Sequence, residues 1–376
     1  MRHVSVGLVG LGTIAQTQHL PNLALLSALF RVVAVADLSS KLTTAIADGL
    51  RGPVFTSTDW RDVCARPEVE AVLLLTPGAH QQMTEEALGA GKHVFSEKPL
   101  SLTVAGAEHL AALADRTDRV LQVGYMKVHE EAFAGLVAGL ETIGEHRLIR
   151  HTVYHPSHRS QHAHGGLLRF DDVDPGALEA DVAYQSGQVA QAIGDLPRRW
   201  DDLYRKFLVG SVIHTASLLR ASMGELPRIT HAEMWPPAPA GSASQPSSLF
   251  FRGELSNQTP VEVSWLWLPS FPAYRETLEV HGTEGSAEMS FPQPYLRRRT
   301  AQLTIRHPKT PVRHLGGSET AFVRELRAFH AAVATGQRPR DAHGSAIDLA
   351  WLQEALADLA GRAAVTIGGE AVATRR

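Results

Sequence analysis

Short apolar runs alternate with stretches of helical periodicity through about the first 125 residues. The strand-like runs are VSVGLV (4–9), RVVAVAD (31–37), EAVLLLTP (70–77), KHVFSEKP (92–99) and VLQVGY (120–125). Helical patterns follow the first run through about Leu29 and recur at about 58–65, 81–90 and 101–116. Strands that alternate with helices imply right-handed crossovers and a parallel sheet. The pattern therefore predicts an α/β domain over residues 1–125.

The pattern changes after residue 147, where strand-like segments follow one another. RLIRHTVYH (147–155) is the first of them, and the others lie at 229–235, 248–256, 260–268, 274–281, 285–291 and 300–306. Helices are predicted near 177–193, 204–224, 318–335 and 344–361, and a flexible loop is predicted over 236–247. Strands joined by short turns form an antiparallel meander. The chain from 126 to 376 is thus predicted to be a second domain, of the α+β type, with a mostly antiparallel sheet.

Composition narrows the possible function classes. Of the 376 residues, 44% are apolar and 20% are charged, which is the balance of a globular protein. The net charge is only −3, and the short basic clusters around Arg198 and Arg298 are too scattered for a nucleic-acid interface. Cys64 is the only cysteine, which excludes an intrachain disulfide. No apolar run of about 18 residues predicts a membrane span, and without a cleavable signal segment the expected location is the cytoplasm.

The first strand ends in GLGTIA, which runs from Gly10 to Ala15. Gly10 allows a tight turn, Gly12 lets the backbone approach a pyrophosphate, and Ala15 is small enough for close packing of helix on strand. The next helix supplies free N–H groups, and Asp37 ends the following strand about 25 residues on. Asp37 can accept hydrogen bonds from a ribose 2′-hydroxyl and would repel a 2′-phosphate. This context predicts binding of NAD, while the nearby Lys41 leaves NADP open.

A lysine lies at the same edge of the predicted sheet. Ligands bind outside the carboxyl ends of such strands, and those ends carry Gly10, Asp37, Thr76, Lys98 and Tyr125. Pro99 restricts the backbone of Lys98, and the bond between them can be cis at modest cost. A positive nicotinamide and partial burial would lower the pKa of this lysine, which could then deprotonate a substrate hydroxyl. The alternative is a surface lysine paired to Glu97.

Four motifs in this order resemble the Gfo/Idh/MocA oxidoreductases, a family named for glucose–fructose oxidoreductase, inositol dehydrogenase and a rhizopine-catabolism protein. They are GLGTIA, TPGAH (76–80), AGKHVFSEKPLS (90–101) and VGYMK (123–127), and FVRELRAFHAAVATGQRP (322–339) is similar as well. The resemblance covers nearly the whole chain, and EKP after GKHV is its most specific signal. It implies a Rossmann domain followed by a domain with a large open sheet. It also implies NAD(P)-dependent oxidation or reduction at a sugar or cyclitol carbon.

The resemblance implies roles for the residues of these motifs. Lys98 matches the family's EKP lysine and is the expected catalytic acid/base. The residues expected to face the substrate are Tyr125, Met126 and Lys127. The residues expected to bind the cofactor are Gly10, Gly12, Thr13, Ile14, Asp37, Thr76, Pro77, His80, Glu97 and Lys98.

The helix predicted over 204–224 departs from the family pattern. Family members often carry D-x-x-x-H there, with the histidine as acid/base and the aspartate beside it, and the matching residues are Gly210 and His214. A further acid, often found three residues past the histidine, is replaced by Ser217. On an α-helix these three positions share one face. His214 is therefore expected to be catalytic, with space beside it for a substrate bulkier than a free hexose or inositol. The alternative is a core histidine.

Histidines are frequent between residues 146 and 164, where the sequence has His146, His151, His155, His158, His162 and His164. No acids accompany them at the spacing of metal ligands, so no metal site is predicted. His155 ends the first strand of the second domain and is expected to bind substrate hydroxyls.

These expectations favour a dehydrogenase or ketoreductase that acts on a secondary alcohol or ketone of a sugar, glycoside, cyclitol or aminosugar derivative. Lys98 and His214 would handle the hydroxyl proton while hydride passes to or from the nicotinamide. Two alternatives stay open. One is a redox-neutral, glycosidase-type reaction in which NAD is regenerated after elimination, and the other is a non-catalytic regulator that binds a nicotinamide. A broad sheet with an exposed face also predicts a homodimer or homotetramer.

Overall fold

The computed structural model describes residues 2–157, 161, 165–237, 247–337, 339 and 341–375. The chain forms two compact units. The first comprises residues 1–125, 165–189 and 325–347, and the second comprises 126–164, 190–324 and 348–376. Most of the flexible loop predicted over 236–247 lies outside the described residues.

The first unit is built on a six-stranded parallel sheet. Its strands are β1 (Val4–Val9), β2 (Phe30–Ala36), β3 (Phe55–Ser57), β4 (Ala71–Leu74), β5 (His93–Ser96) and β6 (Leu121–Val123). Their spatial order is β3-β2-β1-β4-β5-β6. All four residues of β4 are buried, and burial on both faces explains why such strands form unbroken apolar runs in the sequence. The predicted Rossmann-type sheet is confirmed.

Helical segments connect these strands. They are a π-helical segment (Ala15–His19), α1 (Leu20–Leu25), α2 (Ser40–Asp48), α3 (Trp60–Ala65), α4 (Gln81–Gly89) and α5 (Val104–Thr117). The side chains of Ser39, Asp59 and Thr103 cap α2, α3 and α5 by accepting N–H bonds from their first turns. The sequence analysis did not predict β3 or α2. β3 is only three residues long, and α2 carries few large apolar residues.

The second unit is built on an eight-stranded sheet. Its strands are β7 (His146–His155), β8 (Arg228–Trp235), β9 (Ser248–Glu254), β10 (Pro260–Trp267), β11 (Arg275–Gly282), β12 (Ser286–Phe291), β13 (Gln302–His307) and β14 (Thr310–Leu315). Their spatial order is β14-β13-β12-β11-β7-β10-β9-β8. β7 runs parallel to β10, and the other neighbouring pairs in this order are antiparallel. The prediction of a large, mostly antiparallel sheet is confirmed.

The predicted simple meander, however, is wrong. β7 inserts between β10 and β11, so these two consecutive strands are not neighbours. The sequence analysis also missed β14, whose side chains are almost all exposed and therefore lack an alternating pattern. Along β7, alternate side chains from Ile149 to His155 are buried. They define a buried face of the sheet that matters for the site below.

The remaining helical segments follow in chain order. They are a 3₁₀ segment (Met126–His129), α6 (Glu131–Leu140), α7 (Pro175–Ile193), α8 (Arg198–Asp202), a π-helical segment (Leu203–Val212), α9 (Ile213–Met223), α10 (Ala321–Thr335), α11 (Asp341–Arg362) and a 3₁₀ segment (Glu370–Arg375). Of these, α7, α10 and α11 supply residues to both units. The helix predicted over 204–224 is thus not α-helical throughout, because it is π-helical as far as Val212.

Candidate active site

The turn that follows β1 has the shape that a dinucleotide requires. Gly10 adopts a φ of +86°, and a Cβ there would lie 2.6 Å from the backbone nitrogen of Thr76, so only glycine fits without strain. A Cβ on Gly12 would meet no atom of the described residues within 4 Å, so its backbone faces open space. Thr13 and Ile14 follow, both half-buried, and lead into the first π-helical segment. An open cradle at the start of a helix fits a pyrophosphate.

Alanine at these two glycines should separate folding from cofactor binding. Gly10→Ala drives a Cβ onto the backbone of Thr76, and we expect it to destabilise the protein by about 1–3 kcal/mol. Gly12→Ala should change the free energy of unfolding by less than about 0.5 kcal/mol, because the new methyl group meets only open space. The same methyl group should weaken NADH binding by about tenfold or more, since it fills the pyrophosphate cradle. Chemical denaturation and fluorescence titration measure the two effects, and wild-type NADH affinity in Gly12→Ala would contradict this location for the pyrophosphate.

Asp37 directly follows β2 at the same edge of the sheet. Its Oδ2 accepts the N–H of Leu11 at 2.8 Å, and its Oδ1 accepts the N–H of Ser39 at 3.0 Å. These bonds hold a half-buried carboxylate between the glycine turn and the start of α2. Each oxygen keeps a lone pair that can accept from a ribose hydroxyl. Lys41 lies further along, with its Nζ 4.0 Å from Oδ1 of Asp171.

Thr76, Pro77 and His80 lie in the loop between β4 and α4. The buried His80 ring has its Nδ1 2.9 Å from the carbonyl oxygen of Pro99 and its Nε2 2.9 Å from that of Thr76. Burial lowers the pKa of His80, so the ring is neutral near pH 7 and can donate to only one of the two carbonyls at a time. The ring therefore ties this loop to the backbone that follows Lys98.

Lys98 leaves the sheet two residues after β5, and its bond to Pro99 is cis. Its side chain is half-buried. The carboxylate of the preceding Glu97 is held by His19, whose Nε2 lies 2.8 Å from Oε1. Burial alone would raise the pKa of Glu97, but the hydrogen bond and the charge of His19 outweigh it and lower that pKa. The Glu97 carboxylate is thus bound in the interior of the first unit.

In the second unit, Lys127 belongs to a group of residues around the buried carboxylate of Glu276. The group consists of Glu276, Lys127, His151 and Tyr274, and we call it the Glu276 cluster. Oε1 of Glu276 accepts from Nζ of Lys127 at 2.5 Å and from Nε2 of His151 at 2.9 Å, and Oε2 accepts from the Tyr274 hydroxyl. Burial would raise the pKa of Glu276, but the charge of Lys127 and the hydrogen bond from His151 hold it well below its ordinary value. Burial and this carboxylate raise the pKa of Tyr274 well above its ordinary value, so the phenol stays the donor.

The sequence analysis singled out Lys127 but missed Glu276 and Tyr274. A signal for Glu276 was present, because it shares one face of β11 with the apolar and buried Leu278 and Val280. A charged residue at an apolar position of a strand is buried only when it is paired.

His155 ends β7 and joins other aromatic rings on the buried face of the sheet. Its ring is stacked on Trp267 with centroids 5.6 Å apart, lies 5.2 Å from Trp265 and meets Tyr274 edge-on at 6.0 Å. Phe207, of the second π-helical segment, lies 5.9 Å from Trp265. The parallel pairing of β7 and β10 sets His155 directly opposite Trp267. We call these five rings the aromatic platform.

The second π-helical segment carries Gly210 and ends two residues before His214. Apart from its chain neighbours and the adjacent turns of its own helix, a Cβ on Gly210 would have one neighbour within 4 Å among the described residues, a backbone oxygen at 3.2 Å. Trp265 of the aromatic platform donates from Nε1 to the hydroxyl of Ser211 at 2.9 Å, which fastens this segment to the platform.

His214 is half-buried near the start of α9, and the buried Ser217 donates to its carbonyl oxygen at 3.2 Å. The shared face predicted for positions 210, 214 and 217 assumed an α-helix throughout. That assumption is wrong for Gly210, because the helix is π-helical there and has more residues per turn.

Tyr125 and Met126 are both buried, with 2% and 8% of their surfaces exposed. Of the six histidines between 146 and 164, three lie outside the described residues: His158, His162 and His164. In the part of the chain that the structure describes, no three His, Cys, Asp or Glu side chains are grouped so that they could hold a metal ion. No helix in that part is both long enough and apolar enough to cross a bilayer.

Residues 4–125 match a protein-family model, GFO_IDH_MocA, which is described as an oxidoreductase family with an NAD-binding Rossmann fold. Over these residues, about a third of the chain, the protein matches the Gfo/Idh/MocA family. The resemblance and the NAD-type cofactor predicted from the sequence are confirmed. The glycine turn, Asp37, the loop from Thr76 to His80, and Lys98 all lie within the matched Gfo/Idh/MocA residues.

Two curated relatives show how far the similarity reaches. Inositol 2-dehydrogenase from Pseudomonas syringae pv. syringae (strain B728a) is 30% identical over 161 residues, which are 42% of this chain and 46% of that protein. The inositol 2-dehydrogenase/D-chiro-inositol 3-dehydrogenase of Shouchella clausii (strain KSM-K16) is 32% identical over 151 residues, which are 39% of this chain and 43% of that protein. The alignment thus spans less than half the length of these Gfo/Idh/MocA relatives.

A solved structure extends the likeness over nearly the whole chain. KijD10, a 3-ketoreductase from Actinomadura kijaniata crystallised with NADP and TDP-benzene, aligns over 94% of this chain and 97% of its own. The TM-score is 0.71 and the sequence identity is 18%. At that identity the likeness shows the fold alone, a parallel sheet followed by a mostly antiparallel one.

Proposed function

We propose that the protein is an NAD(P)-dependent oxidoreductase that transfers hydride between a nicotinamide and a secondary alcohol or ketone of a sugar, glycoside, cyclitol or aminosugar derivative. The observation that carries the proposal is Lys98, a half-buried amine at the carboxyl edge of an NAD-binding sheet. Ligands of such sheets bind at that edge. The names of the relatives, inositol 2-dehydrogenase and 3-ketoreductase, support the same class of reaction.

The residues of this chain would bind the reactants and move the proton. Bound NAD(P) would supply the hydride acceptor or donor. Lys98 would hold the substrate hydroxyl and take its proton during oxidation, or return a proton to the ketone oxygen during reduction. His214 is the second proposed acid/base, because an imidazole titrates near neutrality. The glycine turn, Asp37 and the loop from Thr76 to His80 would hold the dinucleotide.

The aromatic platform is evidence that the substrate contains a ring. Ligand sites combine apolar and aromatic walls with a few polar groups that fix orientation, which suits the faces and hydroxyls of a sugar or cyclitol. Tyr274 joins the platform to the Glu276 cluster, because its ring meets His155 and its hydroxyl bonds Glu276. We propose that His155 and Lys127 bind substrate hydroxyls and that Tyr125 and Met126 also face the substrate.

The glycine at position 210 is evidence that the substrate is larger than a free hexose or inositol. The family motif often has an aspartate at this position, and the glycine found here has no side chain to fill the same space. Apart from its chain neighbours and the adjacent turns of its own helix, one backbone oxygen lies within 4 Å of its Cβ position among the described residues. Glycosides and other substituted sugars are therefore the preferred members of the proposed substrate class.

The absorbance of reduced nicotinamide tests this function. Purified protein receives NAD or NADP with sugars, glycosides, cyclitols and aminosugars, and an acyclic hexitol serves as the control for ring recognition. We expect reduction with at least one cyclic substrate and a kcat/KM lower by at least about tenfold for the hexitol. Consumption of a glycoside without net reduction would instead support the redox-neutral reaction. Tight cofactor binding without turnover of any substrate would support the regulator.

Three further statements stay predictions. They are self-association as a homodimer or homotetramer, a cytoplasmic location, and a division into domains at residues 1–125 and 126–376.

A further inference from the structure

Residues 168–172 lie against two elements of the NAD-binding unit, and we call this segment the strap. At one end, the side-chain amide of Gln16 binds both backbone groups of Leu168. Its Nε2 donates to the carbonyl oxygen at 3.1 Å, and its Oε1 accepts the N–H at 2.8 Å. Gln16 also donates to the carbonyl oxygen of Leu11 at 2.8 Å, next to the turn that fits a pyrophosphate. The strap is thus fixed beside the glycine turn.

At its other end, the strap is fixed by the carboxylate of Asp172. Oδ1 accepts from the Ser39 hydroxyl. Oδ2 accepts from the Ser40 hydroxyl at 3.1 Å and from the N–H of Lys41 at 2.9 Å. These donors begin α2, whose first N–H groups have no partner within the helix. A carboxylate from a distant part of the chain therefore takes the donors that this helix start offers to an anion.

These donors lie next to Asp37 in the sequence, where they bear on whether the protein binds NAD or NADP. In this fold an acid at the end of the second strand accepts the ribose 2′-hydroxyl, and Asp37 holds that position. A phosphate on the same 2′-oxygen would need N–H, O–H or cationic donors immediately beside Asp37. Ser39, Ser40 and Lys41 follow Asp37 by two to four residues and are donors of that kind. Asp172 already uses them.

We propose that Asp172 determines cofactor specificity, because it occupies the donors that the 2′-phosphate of NADP would need, so that the protein accepts NAD and disfavours NADP. The carboxylate acts in two ways: it withholds hydrogen bonds from the phosphate, and its negative charge repels it. This role adds to that of Asp37. It concerns the adenosine end of the cofactor and goes beyond the proposed reaction.

Asp172 carries its negative charge at neutral pH. Hydrogen bonds from the Ser39 hydroxyl and from the N–H of Lys41 lower the pKa of Asp172 to about 2. Its contacts lie near the surface, where water and salt screen the repulsion. We therefore expect a discrimination of tens of fold rather than thousands of fold.

Fluorescence titration of NADH and NADPH tests the role of Asp172. Wild-type protein should prefer NADH by at least about tenfold. Asp172→Ala should bind NADPH about 10–100-fold more tightly than wild type, because it removes the charge and frees the donors of α2. The nearly isosteric Asp172→Asn removes the charge but keeps an amide oxygen that accepts from the same donors, so its NADPH affinity should lie between those of wild type and Asp172→Ala. Their affinity for NADH should stay within about threefold of wild type. Thermal melting confirms that each variant is folded.

Asp171→Ala is the matched control, since it removes the same charge from the adjacent residue. The Asp171 side chain is fully exposed and lies 4.0 Å from Nζ of Lys41. Its loss should change NADPH affinity by less than about threefold. An unchanged NADPH affinity in the Asp172 variants would overturn the proposal. An equal gain in Asp171→Ala, or equal wild-type affinity for both cofactors, would also do so. The titration uses no substrate. Its result therefore does not depend on whether the activity screen detects turnover.

Discussion

Lys98→Met is expected to lower kcat by about 10²–10⁴-fold, because it removes the group that we propose as the acid/base for the substrate proton. Methionine is similar in length, so it fills the space of the half-buried lysine without adding bulk. The affinity for NADH should stay within about threefold of wild type, since the glycine turn and Asp37 are untouched. Steady-state kinetics on the best substrate of the panel and fluorescence titration of NADH give the two values.

Lys98→Arg separates proton transfer from simple charge. Arginine keeps a positive charge near the substrate but does not release its proton at any accessible pH. If Lys98 is the acid/base, Lys98→Arg should lose about as much kcat as Lys98→Met, namely about 10²–10⁴-fold. Retention of more than about a tenth of wild-type kcat in Lys98→Arg would show that the residue acts only as a charge. In that case His214 would become the leading acid/base.

Lys309→Met provides the matched control for the same substitution. Lys309 is exposed in the turn between β13 and β14, in the second unit. Its replacement should leave kcat within about twofold of wild type, because substitutions of exposed residues outside the core and the candidate active site usually have small effects. A large loss in this variant would mean that the methionine substitution disturbs the protein in a general way.

The first unit could be predicted from the sequence because its strands and its glycine turn are specified by short, continuous sequence patterns. Parallel strands buried on both faces form continuous apolar runs, and the glycine turn specifies a strand, a turn and a helix within about a dozen residues. The same reasoning located Gly10, Asp37 and Lys98, each at the end of a strand. These residues lie at one edge of the sheet because parallel strands all end on the same side.

The second unit could be predicted only in part, because its order depends on pairing between distant strands. Seven strand-like segments with similar patterns do not reveal that β7 inserts between β10 and β11. The π-helical stretch before His214 was equally hidden, since apolar spacing does not distinguish it from an α-helix over ten residues. Glu276 was missed for a related reason. Its partners Lys127 and His151 lie 149 and 125 residues away in the sequence.

Glu276→Gln is expected to cost about 3–5 kcal/mol of folding free energy, the largest effect on stability that we predict. Glutamine has nearly the same shape, but it cannot balance the buried charge of Lys127. Removal of one partner from a buried ion pair leaves an uncompensated charge away from water, and here the hydrogen bond from His151 weakens as well. The melting temperature should fall by roughly 10 °C. Thermal and chemical denaturation followed by circular dichroism measure the loss.

Glu262→Gln is the matched control on the same sheet. Glu262 lies on β10, with 36% of its side chain exposed, and it pairs with Arg150 at 3.2 Å. Because this pair is solvated, its loss should change the free energy of unfolding by less than about 1 kcal/mol. Equal losses for the two substitutions would contradict the buried charge pair. A double variant, Lys127→Met with Glu276→Gln, should recover part of the stability lost in Glu276→Gln, since no buried ammonium is then left unbalanced.

The dependence on pH supplies an independent check of the same cluster. In the folded protein the pKa of Glu276 lies well below its ordinary value of 4.5. A carboxyl with a depressed pKa stabilises the fold above its unfolded pKa, and this stabilisation is lost as the pH falls through the folded pKa. The stability difference between wild type and Glu276→Gln should therefore stay constant above about pH 5 and shrink progressively below about pH 4. A difference that stays the same at low pH would mean that the negative charge of Glu276 is not what stabilises the cluster.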